Sequence, residues 1–410
     1  MKQLALLTLL GISIATEAQT TLNVEVKNTI NQARTEFVII PLEQYGEVRS
    51  AEVTLIDKNQ TANEVPYQLD DINLDEKFDE LCFQVDFDSK GTKYFNVKLL
   101  ESGEPKQYAP KVFTEMLMRN DKVKEKNKHN NFVSSLTVRG DCANSYNLLH
   151  HHGVAFESEL NGIRIYFDKR QTLDLYGKFQ KRLELEATQF YTSDQQKKEG
   201  YGDDVLWVGN TFGLGAFRGW NGQEPTMIEP VKNRTQRVIA YGPLRTIVEV
   251  VDQGWVADEQ LPPVNMTLRY TQYANHRDTN VDVLFNRNVD DYRFSTGIIN
   301  VKGSTEYSDK NGLRACWGTD YPSTDTVKWK PETVGLAILL SKENIINEEP
   351  ANKDNYAFVV GTKGQQLSYK ITYCSANESF GFHSDKEWFD YLKTWRKEVE
   401  APVIVITKKH

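Results

Sequence analysis

The chain has 410 residues, 39% hydrophobic and 11% aromatic, which supplies apolar material for two or three domain-sized cores and rules out a disordered chain. Forty-nine basic against 57 acidic side chains leave a formal charge of −8. That balance argues against the broad basic face that a nucleic-acid or polyphosphate partner needs, but not against a local pocket for an anion.

In chain order, Lys2 is followed by an apolar run from Leu4 to Ile14 and by Thr16-Glu17-Ala18, small residues at the two positions a signal peptidase reads. Residues 1–18 therefore read as a signal peptide cleaved before Gln19, and the protein as periplasmic or secreted. No later stretch reaches the roughly 18 apolar residues of a membrane-spanning helix. Beyond this leader the dominant period is two. Leu22, Val24 and Val26 alternate with polar neighbours, as do Leu81, Phe83, Val85 and Phe87. Such alternation marks half-buried antiparallel strands, and residues 19–100 hold enough of them for a small β-sandwich. Residues 101–131 lose the pattern and include the charge-dense run 119–128, which reads as a linker.

From residue 132 to 410 strand patterns recur without a second boundary: Leu183–Ala187, Met266–Tyr273, Val281–Phe285 and Leu367–Tyr373. One all-β unit of that length predicts a large two-sheet sandwich. Only the tail is helical: Ser384 and Glu387 form a capping box, and Trp388, Phe389, Leu392, Trp395 and Val399 recur at helical spacing before Pro402. Val403–Ile406 reads as a closing strand. Cys82, Cys142, Cys316 and Cys374 lack metal-ligand spacing, and an exported protein could pair them in any of three ways or leave them as buried thiols.

Reactive side chains are densest between His150 and Arg170. Ile163, Ile165 and Phe167 face one side of a strand, so Arg164, Tyr166 and Asp168 face the other, successive ones about 7 Å apart. Glu157 and Glu159 likewise share a side, where paired carboxylates suit acid–base work or a metal. An ordinary polar outer face would show the same alternation. Of His150, His151 and His152, at most two can act at one site. A second, glycine-rich aromatic stretch runs from Tyr201 to Gly222, with Asp204, Trp207, Arg218 and Trp220 set as sugar-binding proteins set stacking rings beside hydroxyl partners. A third is Asn275-His276-Arg277-Asp278 at a strand end.

The stretch HHHGVAFESELNGIRIYFDKRQTLDLYGK with the later YGDDVLWVGNTFGLGAF resembles a family of secreted Bacteroidota proteins that carries a domain of unknown function and accompanies polysaccharide degradation. Glu157, Glu159, Arg164, Tyr166, Asp174, Lys178, Asp204 and Gly209 carry the resemblance, while Ser158 and Leu160 depart from it. The N-terminal region is similar to the sandwich that precedes the catalytic domain of rhamnogalacturonan exolyase-like proteins. The resemblance implies a galactose-mutarotase-like β-supersandwich acting on polysaccharide fragments.

The leading expectation is a lyase acting by β-elimination on a uronic-acid-containing glycan. A cation (Arg164, or Lys178 or Arg218) would neutralise the sugar carboxylate, and a histidine from 150–152, with His151 and His152 foremost, or Tyr166 would take the C5 proton. A glycoside hydrolase using Glu157 and Asp204, a sugar epimerase, and a non-catalytic glycan-binding protein are the alternatives. Glu159, Lys178, Trp207, Arg218, Trp220, His276 and Arg277 would bind substrate, with calcium a candidate cofactor.

Overall fold

The computed structural model describes residues 19–57, 61–119, 131–144 and 146–410. The expected signal peptide, residues 1–18, lies outside them, as does most of the charge-dense run. Strands take 47% of the described residues, which also include three α-helices.

Seven strands between Gln19 and Leu100 form two facing sheets. The alternating residues named above point between them: Leu22, Val24, Val26, Leu81, Phe83, Val85 and Phe87 pack with Phe95, Val97 and Leu99 into one core. The sheets have strand orders Gln19–Lys27, Thr92–Leu100, Ser50–Ile56, Ala62–Glu64 and Arg34–Pro41, Glu80–Phe87, Tyr67–Asp70. The first has a further member. Ile404–Lys409, read as the closing strand of the larger unit, pairs antiparallel with Gln19–Lys27 instead.

The larger unit packs a nine-stranded antiparallel sheet against a layer of two five-stranded sheets. These two are joined end to end by a bridge of Leu173 to Gly213 and another of Leu214 to Ile298. One continuous core lies between the layers, from Phe156, Ile163, Ile165 and Phe167 to Trp255, Tyr270, Phe294 and Ile371. Helix Asp385–Glu400 lies on the outer face of the nine-stranded sheet and buries Trp388, Leu392 and Trp395 against Leu313, Ala315, Ala337 and Leu339. Ser384 caps it by accepting from the Glu387 amide, while the Glu387 carboxylate accepts from the His383 amide, one residue outside a closed capping box.

Three expectations change. Leu183–Ala187 is not a strand, since Leu185–Thr188 is a short helix crossing the outer face of a five-stranded sheet. Residues 101–131 are more than a linker, because Val112–Glu115 is the edge strand of that same sheet. All four cysteines are unpaired; Cys82, Cys316 and Cys374 are separate buried side chains and Cys142 is exposed.

Candidate active site

The five-stranded sheet that carries the His150–Arg170 motif has the order Asp203–Asp204, Leu173–Gly177, Gly162–Tyr166, Gly153–Ser158, Val112–Glu115. Its inner face is core. Its outer face holds a polar row set by the register, with Asp174 opposite Arg164, Arg164 opposite Ala155, and Ala155 opposite Glu115. Ala155 leaves room between the arginine and the glutamate. Residues 178–202 pass over this face, and Leu185 and Phe190 pack on Ala155 and Tyr176.

Arg164 is the hub. Its Nε and Nη2 donate to Asp174 Oδ2 at 3.0 and 2.6 Å, Nη2 also to Asp204 Oδ2 at 2.9 Å, and Nη1 to the Tyr191 hydroxyl at 3.2 Å. The guanidinium stacks on the Phe190 ring with 4.2 Å to its centroid. Tyr166 donates to the same Asp174 oxygen at 3.0 Å. The Tyr191 hydroxyl also meets His152 Nε2 at 2.9 Å, and His151 Nε2 lies 2.6 Å from Glu115 Oε1. Burial, and then the charge of Asp174, push the Asp204 carboxyl well above the usual carboxylate range, with Arg164 opposing. Burial likewise raises the Tyr166 and Tyr191 hydroxyls.

Backbone strain gathers here. His151 and His152 have φ of 55° and 69°, and Gln189 and Phe190 have 50° and 64°. Two successive non-glycine residues in the left-handed region are costly, about 1–3 kcal/mol for each such residue, and persist where the surroundings impose them. One pair presents the imidazoles. The other sets Phe190 beneath Arg164 and Tyr191 beside it. After the histidines, Gly153 admits no side chain, because an added Cβ would sit 1.7 Å from the Ile165 carbonyl oxygen.

The sequence-chosen residues therefore divide. His151, His152, Arg164, Tyr166 and Asp204 come together, and exposed Trp207 lies beside Gly209, whose carbonyl accepts from Arg170 at 3.5 Å. Arg164 is no free cation for a substrate carboxylate: it is buried and already carries two carboxylates. Glu157 and Lys178 form an ion pair at 2.5 Å with neither side chain exposed, Glu157 also accepting from the amides of Glu184 and Leu185. They clasp the overlying segment and are closed to substrate. Arg218 is buried, donating to Thr172 Oγ1, the Thr211 carbonyl and Met227 Sδ, and burial lowers it to about 10. Trp220 lies on the other five-stranded sheet. Glu159 accepts from the Asn275 amide at 3.2 Å, Arg277 is held by Glu378 at 2.8 Å, and His276 lines a separate cleft of about 420 Å³ against the N-terminal sandwich. Among the described residues, no group of three or more His, Cys, Asp or Glu side chains is set to hold a metal ion, and no helix is long and apolar enough to cross a membrane.

Glu115, Phe190 and Tyr191 were not anticipated. Glu115 lay in the presumed linker and the other two in a segment without a strand or helix period. Asp174 had a visible signal, a lone outward acid between Leu173 and Leu175.

Two solved structures from Enterococcus faecalis align with the chain. One, a protein in the glycosyl hydrolase family 38, gives a TM-score of 0.49 at 11% identity over 95% of this chain and 47% of that one. The other, an alpha-mannosidase from strain V583, gives 0.44 at 11% identity over 95% and 46%. The chain thus spans about half the length of either, and similarity at this level assigns no activity. No curated protein matches the sequence. The family described as "Domain of unknown function (DUF4861)" matches residues 26–405, and the chain belongs to that family.

Proposed function

We propose that this is an exported carbohydrate-active protein that cleaves glycosidic bonds by hydrolysis, with Asp204 as the general acid. The observation that carries the reading is the arrangement around Arg164: one carboxylate, Asp174, is sealed beneath it, and the other, Asp204, keeps a partly exposed edge and a raised affinity for its proton. Groups whose environments differ in this way are how a site keeps an acid protonated near neutral pH. On the other side of Arg164, the Tyr191 hydroxyl links the guanidinium to His152, whose imidazole is the group assigned to take a proton from water.

Elimination, the leading expectation from sequence, needs a cation free to hold a uronate. Arg164 is committed to Asp174 and Asp204, and Glu115 adds a further carboxylate nearby. A neutral sugar suits this surface better, so a pectic or other uronic-acid substrate is the minor branch. The exposed rings of Tyr146, Tyr191 and Trp207 also favour a second reading, glycan binding without turnover.

Mannan, pectin and ulvan oligosaccharides, incubated with the full chain and followed by product mass and ultraviolet absorbance, separate these readings. Hydrolysis adds the mass of one water and no absorbance, and Asp204→Asn lowers the rate at least 100-fold. Activity is lost as pH rises through the raised Asp204 value, because the acid must hold its proton. An unsaturated absorbing product restores the lyase, and binding without any product supports the second reading.

A further inference from the structure

Beside the Arg164 cluster lies a cleft of about 550 Å³ lined by Tyr146, Asp168, Arg170, Asn210, Glu229 and Pro230. Its wall adjoins the site: the Tyr146 ring is 4.9 Å from that of His152, and the Arg170 guanidinium lies 4.7 Å from the Tyr166 ring and 5.5 Å from that of Tyr146. Asp168 holds Arg170 at 2.5 Å, so an acceptor and a donor stand fixed on the cleft wall. A second cleft, about 730 Å³, is lined by Trp220, Asn221, Asp258, Glu259 and Arg293, and again by Glu229 and Pro230. The two share that dipeptide as a common wall, and Lys169 braces it through Glu229 at 2.8 Å. Each volume alone falls within the roughly 300–1,000 Å³ of a small-ligand site. Aromatic rings stand at separate stations along this path: Tyr191 at the site, Tyr146 in the first cleft, Trp220 in the second. Cations are matched or outnumbered by acids in both, which makes the path a poor anion funnel.

We infer that the two clefts form one groove that seats an extended, neutral glycan chain, several sugar units running from Asp204 past Tyr146 to Trp220. This rests on the hydrolase reading and deepens it, since it makes the substrate a polymer or long oligomer and assigns Trp220 to a remote subsite. Ring stacking at separated stations suits a repeating ligand whose units each offer an apolar face.

The test uses the full chain and neutral mannan-derived oligosaccharides of two and six units, with pectin-derived oligomers of the same lengths beside them, binding being measured by calorimetry. The six-unit neutral probe should bind at least tenfold tighter than the two-unit probe, and Trp220→Ala should collapse that ratio to below threefold. Arg293→Ala, at an exposed position, should lower it in the same direction, with circular dichroism checking that the fold is kept. Equal binding of short and long probes, or a ratio untouched by both variants, overturns the groove. Pectin oligomers outbinding neutral ones overturn the assigned ligand class. Asp204→Asn reports on the other reading: if it abolishes turnover while chain length has no effect, the hydrolase stands and the groove falls. Binding by no probe removes both.

Discussion

Glu157 and Lys178 show what a single residue's surroundings decide. In a period-two pattern Glu157 shares a side with Glu159 and looks like half of a catalytic pair, but the pattern only says which face a side chain takes, not what lies over that face. Here residues 178–185 lie over it, and burial raises the Glu157 carboxyl even with the Lys178 ammonium beside it. Removing one partner from such a pair leaves a buried charge uncompensated. Lys178→Met should therefore cost about 3–5 kcal/mol in chemical denaturation, whereas Glu157→Gln with Lys178→Met should recover part of that loss. Equal losses in the single and double variants would show that the pair is not the source. Arg164 was legible as an outward-facing arginine beside Tyr166. That its charge is spent on Asp174 and Asp204 was not, because both partners come from other strands.

At the scale of elements, His276 joins the two units. It follows strand Val264–Tyr273, and its ring nitrogens face Asp278 Oδ1 at 3.2 Å and the Thr35 carbonyl of the N-terminal sandwich at 3.1 Å. Both partners are acceptors, so both contacts are made only by the doubly protonated imidazolium. Burial works to lower the histidine, but the hydrogen bond and charge of Asp278 and the charge of Glu36 outweigh it and raise it, with Lys370 opposing. Arg34 and Glu398 line the same cleft, and burial raises the carboxyls of both Glu36 and Glu398. All three raised groups bind protons more tightly when folded. The His276 contribution is thus complete below its unfolded value of about 6.5 and is lost as pH rises through the higher folded value. Thermal midpoints measured from pH 6 to 9 should fall by the equivalent of about 1 kcal/mol, and His276→Gln should flatten that slope. A wild-type profile that rises over this range would contradict the assignment.

For the whole molecule, the two ends of the described chain meet. Ile404–Lys409 covers the edge of Gln19–Lys27, whose other side pairs with Thr92–Leu100. Deleting residues 404–410 should bare that edge and lower the unfolding midpoint of the sandwich, read by hydrogen exchange at Gln19–Lys27, with the nine-stranded sheet protected as before. The same topology argues against a free-standing fragment of residues 132–410. It would lack Val112–Glu115, which pairs with Gly153–Ser158 and brings Glu115 to His151. It would also strip the buried contacts of Gln68 and Asp70 with Arg245, and the half-buried one of Glu80.

The sequence by itself determined the fold class, the strands at Leu22–Val26, Leu81–Phe87 and Leu367–Tyr373, the helix after Ser384, and the outward face shared by Arg164 and Tyr166. Each of these rests on periodicity over a few residues, a local property that burial of one face enforces. Only the tertiary structure decided that Ile404–Lys409 belongs to the first sheet, that Glu157 is sealed and Asp204 is not, and that Phe190 and Tyr191 complete the Arg164 cluster. Asp204 lies 40 residues from Arg164 in sequence, and Lys409 pairs with Leu22 across almost the whole chain. Contacts of that kind leave no period to read, because they are set by how layers stack and which segment is left to pass over an outer face.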